Sequence, residues 1–374
     1  MSTATLRPTT LEIDLDAAAG NLRAVRGLVG PSRSIFAVVK ADGYGFGAAE
    51  MGAVFARSGA DWLAVADLAE GVRLRERGIT IPILVYPNSL PEAAGAALAH
   101  RLVPTLVDLE SARAYSQAAS GPCPVFVKVD VGLERLGVPA EQAVKTILAM
   151  LDLPHLALGG LCAHPHAEVG GDPAYADWQA GRFTAVVDEL EARGIRVPVR
   201  LLAATPFVLR FPHTYLNAVD PGRLLYGMVF PGEPVPVPVR PTLRAFATRV
   251  IAQKELAPRE RFAEQAPFPV TRPMRLGVVP MGTADGLRWL HAGRVLVRGR
   301  AVPLVGSPSL EHTRLDLTAV PNAAVGDEVV IIGRQGDLEI TPAEVAAHHG
   351  LGLHHVATTV GPRVARIYRS AGGV

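Results

Sequence analysis

The sequence contains few cysteines, little net charge and few lysines. Two cysteines, Cys123 and Cys162, lie in apolar, strand-like runs of a 374-residue chain. This pattern favours reduced thiols in a cytoplasmic protein over a disulfide framework. The formal net charge is +2 and the basic residues are scattered, which argues against nucleic acid or an acidic membrane surface as a partner. The expected function class is therefore small-molecule chemistry.

Two targeting signals are also missing from the sequence. The N-terminus has no basic region followed by an apolar core, and no uninterrupted apolar run reaches the ~20 residues that a membrane span needs. We therefore expect a protein that is neither exported nor inserted in a membrane. With 49% hydrophobic and 19% charged residues, the chain can bury a large core and is long enough for two domains.

Short β-branched runs alternate with amphipathic helical segments over the first two thirds of the chain. This alternation is typical of βα units around a parallel sheet. The predicted strands end at Val39, Val65, Val85, Leu106, Asp130, Ala163, Ala203 and near Asp220. Eight such units predict an α/β fold, a (β/α)8 barrel whose chemistry lies at the C-terminal ends of the strands.

The pattern changes after the proline-rich segment "FPGEPVPVPVRP". Alternating prolines cannot continue a helix or a central strand, so the segment is interpreted as a linker. The sequence thus predicts a barrel over residues 1–235 and a mostly β C-terminal domain over 236–374. Within the second domain, Arg298 and Gly299 are predicted to form a hairpin tip. A late helix is predicted to begin with Thr341 as its N-cap, Pro342 in the first turn and Glu344 completing a capping box.

The segment "AVVKADGYGFG" places Lys40 at the end of the first predicted barrel strand. The chain has only four lysines, so a lysine at this position is interpreted as present for its amine rather than its charge. A Schiff base with an aldehyde cofactor requires such an amine. The neighbouring glycines and Tyr44 suit the close approach of a phosphate-bearing ligand. Taken alone, "VVK" also fits a structural or solvated lysine.

Ordered motifs extend over nearly the whole chain. They are "LEIDLDAAAGNL", "AVVKADGYGFGA", "VKVDVGLERLGV", "GGLCAHPH", "DPGRLLYG", "VPMGTADG" and "VGPRVARIY". As a set they resemble the alanine racemase family of pyridoxal 5′-phosphate (PLP) enzymes. The resemblance implies a PLP-binding barrel, a β-rich second domain and an amino-acid substrate. It also implies a head-to-tail homodimer in which the second domain contributes to the partner's active site.

The resemblance assigns the phosphate end of the cofactor site. Lys40 matches the Schiff-base lysine of the family, and Tyr44 matches the tyrosine that holds the cofactor phosphate. Thr205 falls where the family has a phosphate-binding serine. The backbone amides of Gly222 and Arg223 fall where the last barrel turn cradles the same group. Neutral donors and backbone N–H groups suit a phosphate.

The resemblance also assigns residues beside the cofactor ring. Arg135 matches the arginine near the ring oxygen and the substrate carboxylate, and His164 matches the histidine packed on the ring. Both are counted with the lysine as catalytic. Lys128 resembles a position that is carbamylated in many members. A salt bridge from Lys128 to Glu134 or Asp130 is the alternative interpretation.

Several family positions are substituted in this chain. The family tyrosine that acts as the second base, within "GYADG", is replaced by Thr283, whose hydroxyl is too short and too weak an acid to inherit that role. Ser309 and Leu310 replace residues that the partner presents to the substrate, and Pro362 replaces a tyrosine of the access channel. Phe46 stands where a histidine is common. We therefore expect a wider, less polar channel and a substrate larger than alanine.

Asp220 stands where the family has an arginine facing the pyridine nitrogen of the cofactor. A carboxylate there would stabilise a protonated pyridinium and strengthen the ring as an electron acceptor. The alternative is that Asp220 only begins a Pro-Gly turn and Arg223 reaches the nitrogen. For the missing second base, the candidates are His291, Glu311 and His312, each of which also fits a surface or interface residue.

Three functions are consistent with these patterns. The first is a PLP enzyme acting at the α-carbon of an amino acid, a racemase or epimerase with an altered, non-two-base mechanism. The second is a repurposed PLP lyase, either a decarboxylase or an aldolase. The third is a non-catalytic PLP carrier. No metal site is expected at the histidine pairs near the C-terminus, because they lack a convergent ligand spacing; they are His348, His349, His354 and His355.

Overall fold

The computed structural model describes residues 6–259, 261, 264–287, 290 and 292–371. The strands are β1 (Thr10–Asp14), β2 (Ser34–Val38), β3 (Trp62–Val65), β4 (Ile83–Val85), β5 (Val103–Leu106), β6 (Cys123–Asp130), β7 (Val138–Pro139), β8 (Leu156–Cys162), β9 (Val199–Ala204), β10 (Ala218–Asp220), β11 (Leu243–Arg249), β12 (Ala252–Leu256), β13 (Met274–Val279), β14 (Arg294–Val297), β15 (Arg300–Pro303), β16 (Thr313–Asp316), β17 (Glu328–Gln335), β18 (Leu338–Ile340) and β19 (Ala365–Arg369).

The α-helices are α1 (Leu15–Val29), α2 (Lys40–Tyr44), α3 (Ala48–Arg57), α4 (Leu68–Glu76), α5 (Ala94–Ala99), α6 (Leu109–Ala118), α7 (Ala140–Leu151), α8 (Pro173–Ala192), α9 (Thr205–Arg210), α10 (Pro342–His348) and α11 (His355–Thr358). Short 3₁₀ helices lie at Pro91–Ala93, Pro212–Thr214, Arg223–Tyr226 and Thr283–Asp285. None of the helices in the described ranges is long and apolar enough to cross a bilayer.

The chain divides into two compact units. One comprises residues 17–240, and the other combines the N-terminal segment ending at Asp16 with the chain from Pro241 onward. The predicted boundary at 235 and 236 lies a few residues before this division. The N-terminal segment differs from the prediction, which assigned it to the barrel, because β1 pairs with β11 and β19 instead. Leu11 and Ile13 of β1 are buried and alternate with more exposed neighbours, as in a strand packed on one face.

Eight parallel strands close into a barrel within residues 17–240, all of which the structure describes. The strand order is β5-β4-β3-β2-β10-β9-β8-β6, and pairing between β5 and β6 closes the ring. The predicted (β/α)8 barrel is therefore confirmed. Its interior is a packed cluster of apolar side chains, as is typical of this fold, formed by Phe36, Val38, Ala64, Leu84, Phe126, Cys162, Leu201 and Ala218.

The barrel helices pack their apolar faces on the outside of the strands. Helix α8 begins at the N-cap Asp172, whose Oδ1 accepts a hydrogen bond from the Ala174 amide at 2.9 Å. It buries Phe183, Val187 and Leu190 in a cluster with strands β6 and β8. Full burial of each such side chain contributes about 1.5–3 kcal/mol. This layer fixes the strands whose ends carry the candidate site.

The second unit is mostly β, as predicted. One sheet has the order β15-β14-β17-β11-β1-β19 with β18 paired to β17, and a smaller sheet has the order β12-β13-β16. Arg298 and Gly299 both have positive φ angles, 50° and 71°, and form the predicted hairpin tip between β14 and β15. Thr341 caps α10 by accepting from the Glu344 amide at 3.0 Å. The predicted capping box is wrong, because the Glu344 carboxylate accepts from the Arg294 guanidinium instead.

Candidate active site

Polar side chains converge at the carboxyl ends of the barrel strands. Parallel strands bring their carboxyl ends to one side of the barrel, so residues distant in sequence meet there. These residues are Lys40 after β2, Tyr86 after β4, Lys128 in β6, His164 after β8, Thr205 after β9 and Asp220 at the end of β10.

Lys40 begins a turn with an unusual backbone. Ala41, Asp42 and Tyr44 have φ angles of 53°, 52° and 56°, in the left-handed region, which costs about 1–2 kcal/mol for each non-glycine residue. The turn is held by the buried Glu70, whose Oε1 accepts from the Asp42 amide at 2.8 Å. The Asp42 carboxylate in turn accepts from the amide that opens α3, at 2.9 Å. These bonds fix the backbone on which Lys40 stands.

The Lys40 amine lies in a largely buried environment. Its Nζ is 5.8 Å from the centroid of the Tyr86 ring. Burial lowers the pKa of Lys40; the Asp220 carboxylate opposes this shift, and the Arg135 and Lys128 charges add to it. A lowered pKa raises the fraction of neutral amine near pH 7. The side chain is therefore suited to bind a carbonyl group and to exchange a proton.

Asp220 is a buried carboxylate with one free oxygen. Its Oδ2 accepts a hydrogen bond from the Tyr86 hydroxyl at 2.7 Å. Burial raises the pKa of Asp220 to about 6, while the Tyr86 hydrogen bond and the Lys40 and Lys128 charges act in the opposite direction. Among the residues that the structure describes, the buried Oδ1 has no hydrogen-bond partner. Because unpaired buried polar atoms are rare and costly, the free oxygen calls for a partner, either a water molecule or a ligand atom.

Arg223 is held away from this carboxylate. Its guanidinium donates to both oxygens of Glu233 and, at 2.7 Å, to the carbonyl of Met228. It also lies over the Phe230 ring, 4.4 Å from the centroid. The Glu233 side chain is only 1% exposed. The alternative in which Arg223 faces the cofactor nitrogen therefore finds no support in the geometry.

The predicted phosphate-binding residues lie close together. A Cβ atom added to Gly222 would be 2.7 Å from the Tyr44 hydroxyl, so only glycine allows the two to approach. Thr205 is buried, and its hydroxyl accepts from the Leu224 amide at 3.4 Å. The Gly222 amide donates within its own turn, to the carbonyl of Asp220 at 2.7 Å. Tyr44, Thr205 and the Gly222 turn thus form one end of the site.

His164 lies on the lysine side of the site. Burial lowers its pKa to about 3, and the positive charges of Lys128, Lys40 and Arg135 add to this shift. The imidazole is therefore neutral at physiological pH. Arg135 is exposed in the loop after β6, close enough for its charge to act on both His164 and Lys40.

The salt bridge proposed for Lys128 is wrong. Asp130 uses its Oδ1 to accept from the amides of Gly132 and Leu133, both at 3.0 Å, and Glu134 is exposed. The Lys128 Nζ lies instead 5.9 Å from the centroid of the Tyr86 ring. The Asp130 carboxylate shapes the loop that carries the arginine rather than neutralising the lysine.

The positions predicted to be substituted lie close together in the second unit. The Thr283 amide donates to the carbonyl of Ser309 at 3.0 Å, and the Ala284 amide donates to that of Leu310 at 3.0 Å. Leu310 is 64% exposed. A Cβ on Gly282 would lie 2.3 Å from the Ser309 carbonyl oxygen, so the close approach of the two segments requires glycine.

The segment with Pro362 adjoins this cluster. The Gly361 amide, next to it, donates to the carbonyl of Asp285 at 2.8 Å. Glu311, a candidate second base, pairs with Arg363 at 3.0 and 2.6 Å, and that hydrogen bond lowers the pKa of Glu311. A carboxylate held in this way is a poor base. The candidate His291 lies outside the described residues.

Metal ligation has no candidate cluster in the described ranges. Among these residues, no group of three or more His, Cys, Asp or Glu side chains could hold a metal ion. The ring centroids of His348 and His349 are 4.7 Å apart, and those of His354 and His355 are 4.1 Å apart.

The sequence did not identify Tyr86, Glu70 or Glu233 as part of the site. Tyr86 directly follows β4 in "LVYPN", much as Lys40 follows β2, so its position at a strand end was an available signal. Glu233 carried no such signal. The sequence marks Glu70 only as the residue that completes the capping box of α4 with Asp67, which does not point to its bond with the Asp42 amide.

The barrel, its buried lysine and the β-rich second unit together have the architecture of a lysine-dependent cofactor enzyme. The alanine racemase N-terminal domain matches residues 13–229, and the alanine racemase C-terminal domain matches residues 244–368. The chain belongs to the alanine racemase family. Members of this family are dependent on pyridoxal 5′-phosphate.

Individual relatives agree over almost the whole chain. The alanine racemase of Desulfosudis oleivorans is 38% identical over 374 residues, with 96% of this chain and 95% of the relative covered. That of Desulfovibrio desulfuricans is 35% identical, with 97% and 98% covered. The crystal structure of the alanine racemase from Bacillus anthracis with bound L-Ala-P matches with a TM-score of 0.92 and 30% identity, covering 98% of this chain and 96% of that one.

Proposed function

We propose that this chain is a PLP-dependent racemase or epimerase that moves the α-proton of an amino acid without the lysine and tyrosine pair of the family. The family membership supports the reaction class. The altered route is supported above all by Asp220, a buried carboxylate at the end of β10 that has a free Oδ1 and whose charge acts on Lys40.

The residues present fit the cofactor. Lys40 offers a buried amine of lowered pKa for the aldehyde. The unpaired Oδ1 of Asp220 offers an acceptor for a protonated ring nitrogen. The Tyr44 and Thr205 hydroxyls, beside the Gly222 turn, offer neutral donors for the phosphate. When bound, PLP supplies an electron-accepting ring that stabilises negative charge at the substrate α-carbon.

Each residue of the site then has its own role in the transfer of the α-proton. Lys40 Nζ would take up or donate the proton on one face of the α-carbon, because its lowered pKa brings it closer to the working pH. Inversion then requires that solvent water exchange the proton on the opposite face, where the family tyrosine is replaced. Arg135 binds the substrate carboxylate. Neutral His164 packs against the ring without adding a charge. Asp220 balances a positive charge at the ring nitrogen, which strengthens the ring as an acceptor and reduces the demand for a strong second base.

The second unit is proposed to complete the active site of a partner in a head-to-tail homodimer. Its cluster of Thr283, Ser309, Leu310 and Pro362 presents one exposed leucine and no side chain with the acidity of a phenol. In this arrangement the substrate meets a wider, more apolar channel than alanine needs. We therefore expect an amino acid with a larger side chain, converted in the cytoplasm.

A lyase is the second candidate function, and Asp220 is the observation that favours it. A protonated ring nitrogen stabilises the carbanion left by loss of carbon dioxide or of an aldehyde as well as that left by loss of a proton. The same residues would then serve decarboxylation or aldol cleavage. The third function, a non-catalytic PLP carrier, has no such observation in its favour.

One experiment separates these functions. Purified holoprotein is incubated in heavy water with a panel of L- and D-amino acids, and α-deuteration, enantiomer ratio, carbon dioxide and aldehyde are followed together. We expect deuterium incorporation with inversion for a side chain larger than methyl. Carbon dioxide or aldehyde instead would indicate the lyase, and no reaction with any substrate would indicate the carrier.

The assignment of Lys40 has a matched control. Lys40→Ala is expected to abolish both the cofactor's lysine-bound absorption band and α-proton exchange. Lys145→Ala removes an exposed lysine on α7 and is expected to leave both unchanged. Retention of the band in Lys40→Ala would refute the proposed role of this lysine.

A further inference from the structure

We infer that Tyr86 is a positioning residue, whose hydroxyl holds Asp220 through Oδ2 and so leaves Oδ1 free to pair with the cofactor ring nitrogen. This inference rests on the proposed function, because it takes Asp220 as the partner of that nitrogen. It adds a residue that the sequence analysis did not assign to the site.

The bond between Tyr86 and Asp220 crosses the barrel. Tyr86 follows β4 and Asp220 ends β10, and β3 and β2 separate these two strands in the sheet. No backbone pairing therefore links the two residues. Their connection is the hydrogen bond of 2.7 Å from the Tyr86 hydroxyl to Oδ2. The Tyr86 ring packs on the apolar interior of the barrel, which fixes the hydroxyl in place.

In the described part of the chain, the nearby amines of Lys40 and Lys128 do not form ion pairs with the Asp220 carboxylate. The amines of Lys40 and Lys128 lie 5.8 and 5.9 Å from the centroid of the Tyr86 ring. Within the ranges that the structure describes, neither lysine forms an ion pair with Asp220, and Oδ1 has no partner. The ring therefore offers both amines a cation–π contact, while its hydroxyl is the group that bonds the carboxylate.

Removal of the Tyr86 hydroxyl changes the basicity of the Asp220 carboxyl as well as the packing around it. The groups that act on this carboxylate are the Tyr86 hydroxyl, the Lys40 and Lys128 amines, its own backbone amide, Tyr44 and Cys162. Of these, the Tyr86 hydrogen bond stabilises the ionised form directly, since the phenol donates to Oδ2. Without it the buried carboxyl becomes more basic and competes with the ring nitrogen for the shared proton.

The test uses the full-length holoprotein loaded with PLP that carries ¹⁵N in its ring, and it compares the ring-nitrogen signal of four proteins by NMR at pH 7.5. We expect the wild type to show a protonated ring nitrogen and Asp220→Asn a neutral one. Tyr86→Phe should move the signal from the wild-type position toward that of neutral pyridine. The control Tyr215→Phe removes a buried hydroxyl that donates to the carbonyl of Val208, and it should match the wild type.

A second measurement follows Asp220 itself in the same full-length proteins freed of cofactor. The ¹³C carboxyl signal of Asp220, assigned by its loss in Asp220→Asn, is titrated with pH. The loss of one hydrogen bond to a carboxylate is expected to move the midpoint of Tyr86→Phe upward by about one to two pH units. A merely structural role of Tyr86 would change thermal stability but not this midpoint.

The outcomes separate the two proposals. If the wild-type ring nitrogen is protonated and depends on Asp220, but Tyr86→Phe leaves both signals unchanged, the inference about Tyr86 is overturned and the proposed function stands. If the ring nitrogen is neutral in the wild type and Asp220→Asn changes nothing, the role of Asp220 fails and takes the inference with it. Should Tyr86→Phe not fold, a low-field, slowly exchanging hydroxyl proton that is present in the wild type and absent from Asp220→Asn supports the bond. Its absence from the wild type contradicts it.

Discussion

Asp220 gives the chain a testable dependence of stability on pH. The pKa of Asp220 is 3.8 in its ordinary state and about 6 in the folded protein, and the difference corresponds to about 3 kcal/mol. Because the folded pKa is raised, the folded state holds this proton more tightly than the unfolded state. The contribution of Asp220 to stability is therefore fully present below pH 4 and is lost as the pH rises through 6. Asp220→Asn removes the titrating group and with it this dependence.

The assay is urea unfolding of cofactor-free wild type and Asp220→Asn between pH 4 and pH 7.5, followed by circular dichroism at 222 nm, because α2 to α9 lie within the barrel unit and all but the first two residues of α1 do so. The difference in unfolding free energy between the two proteins at any single pH also includes the effect of the altered hydrogen bond to Tyr86. The informative quantity is therefore the change in this difference with pH. We expect Asp220→Asn to gain about 3 kcal/mol relative to wild type from pH 4 to pH 7.5. If the difference in unfolding free energy stays constant across this pH range, Asp220 has the same pKa in the folded and the unfolded state, and the reasoning is refuted.

Four further predictions follow from the site. Thr283→Tyr should raise the racemisation rate at least about tenfold by restoring an acid and base, whereas Thr283→Phe should not; equal rates in chiral chromatography would contradict this. Glu233→Gln should cost about 3–5 kcal/mol in urea unfolding because it leaves Arg223 buried and unpaired, against less than about 1 kcal/mol for Glu189→Gln of an exposed pair. Gly222→Ala should weaken PLP binding about tenfold in a cofactor titration, a loss of about 1.4 kcal/mol, because the added Cβ would lie 2.7 Å from the Tyr44 hydroxyl and displace it. The control Gly181→Ala adds a methyl in open space and should bind normally. The His164 ring should show no NMR titration between pH 5 and pH 9, because its pKa is about 3; a midpoint near 6.5 would show that the ring is not buried.

The barrel was predictable because each of its strands carries its own signal. A parallel strand buried on both faces reads as a short apolar run, and runs such as "FAVV" and "VFVKVD" end where the observed strands end or one residue beyond. Lys40 and Asp220 were predictable for the same reason, since a polar residue at the end of such a run lies at the barrel mouth. The hairpin tip at Arg298 and Gly299 was also local, because a two-residue turn requires positive φ at both positions.

The remaining features depend on contacts between distant parts of the chain. The place of β1 beside β11 and β19 is set by long-range pairing that "LEIDL" does not encode locally. The same holds for the bond from Tyr86 to Asp220, whereas the pairing of Arg223 with Glu233, which holds the arginine away from Asp220, spans only ten residues. A salt bridge was the alternative interpretation for Lys128 because carboxylates are near in sequence, but Oδ1 of Asp130 accepts hydrogen bonds from the loop amides instead.

The position of β1 has a consequence for how the chain is made. Its two neighbours in the sheet, β11 and β19, begin at Leu243 and Ala365, so β1 leaves the ribosome well before both, and its pairing is complete only when β19 has been made. At about 5–20 residues per second, that interval lasts tens of seconds, during which the barrel strands can close. A fragment that begins after Asp16 would leave β11 and β19 with facing unpaired edges, which are templates for association with other chains. Separate expression of the second unit therefore requires that β1 be fused to it. The boundary of an expressible fragment is set by the pairing of β1 with β11 and β19, and not by the proline-rich linker.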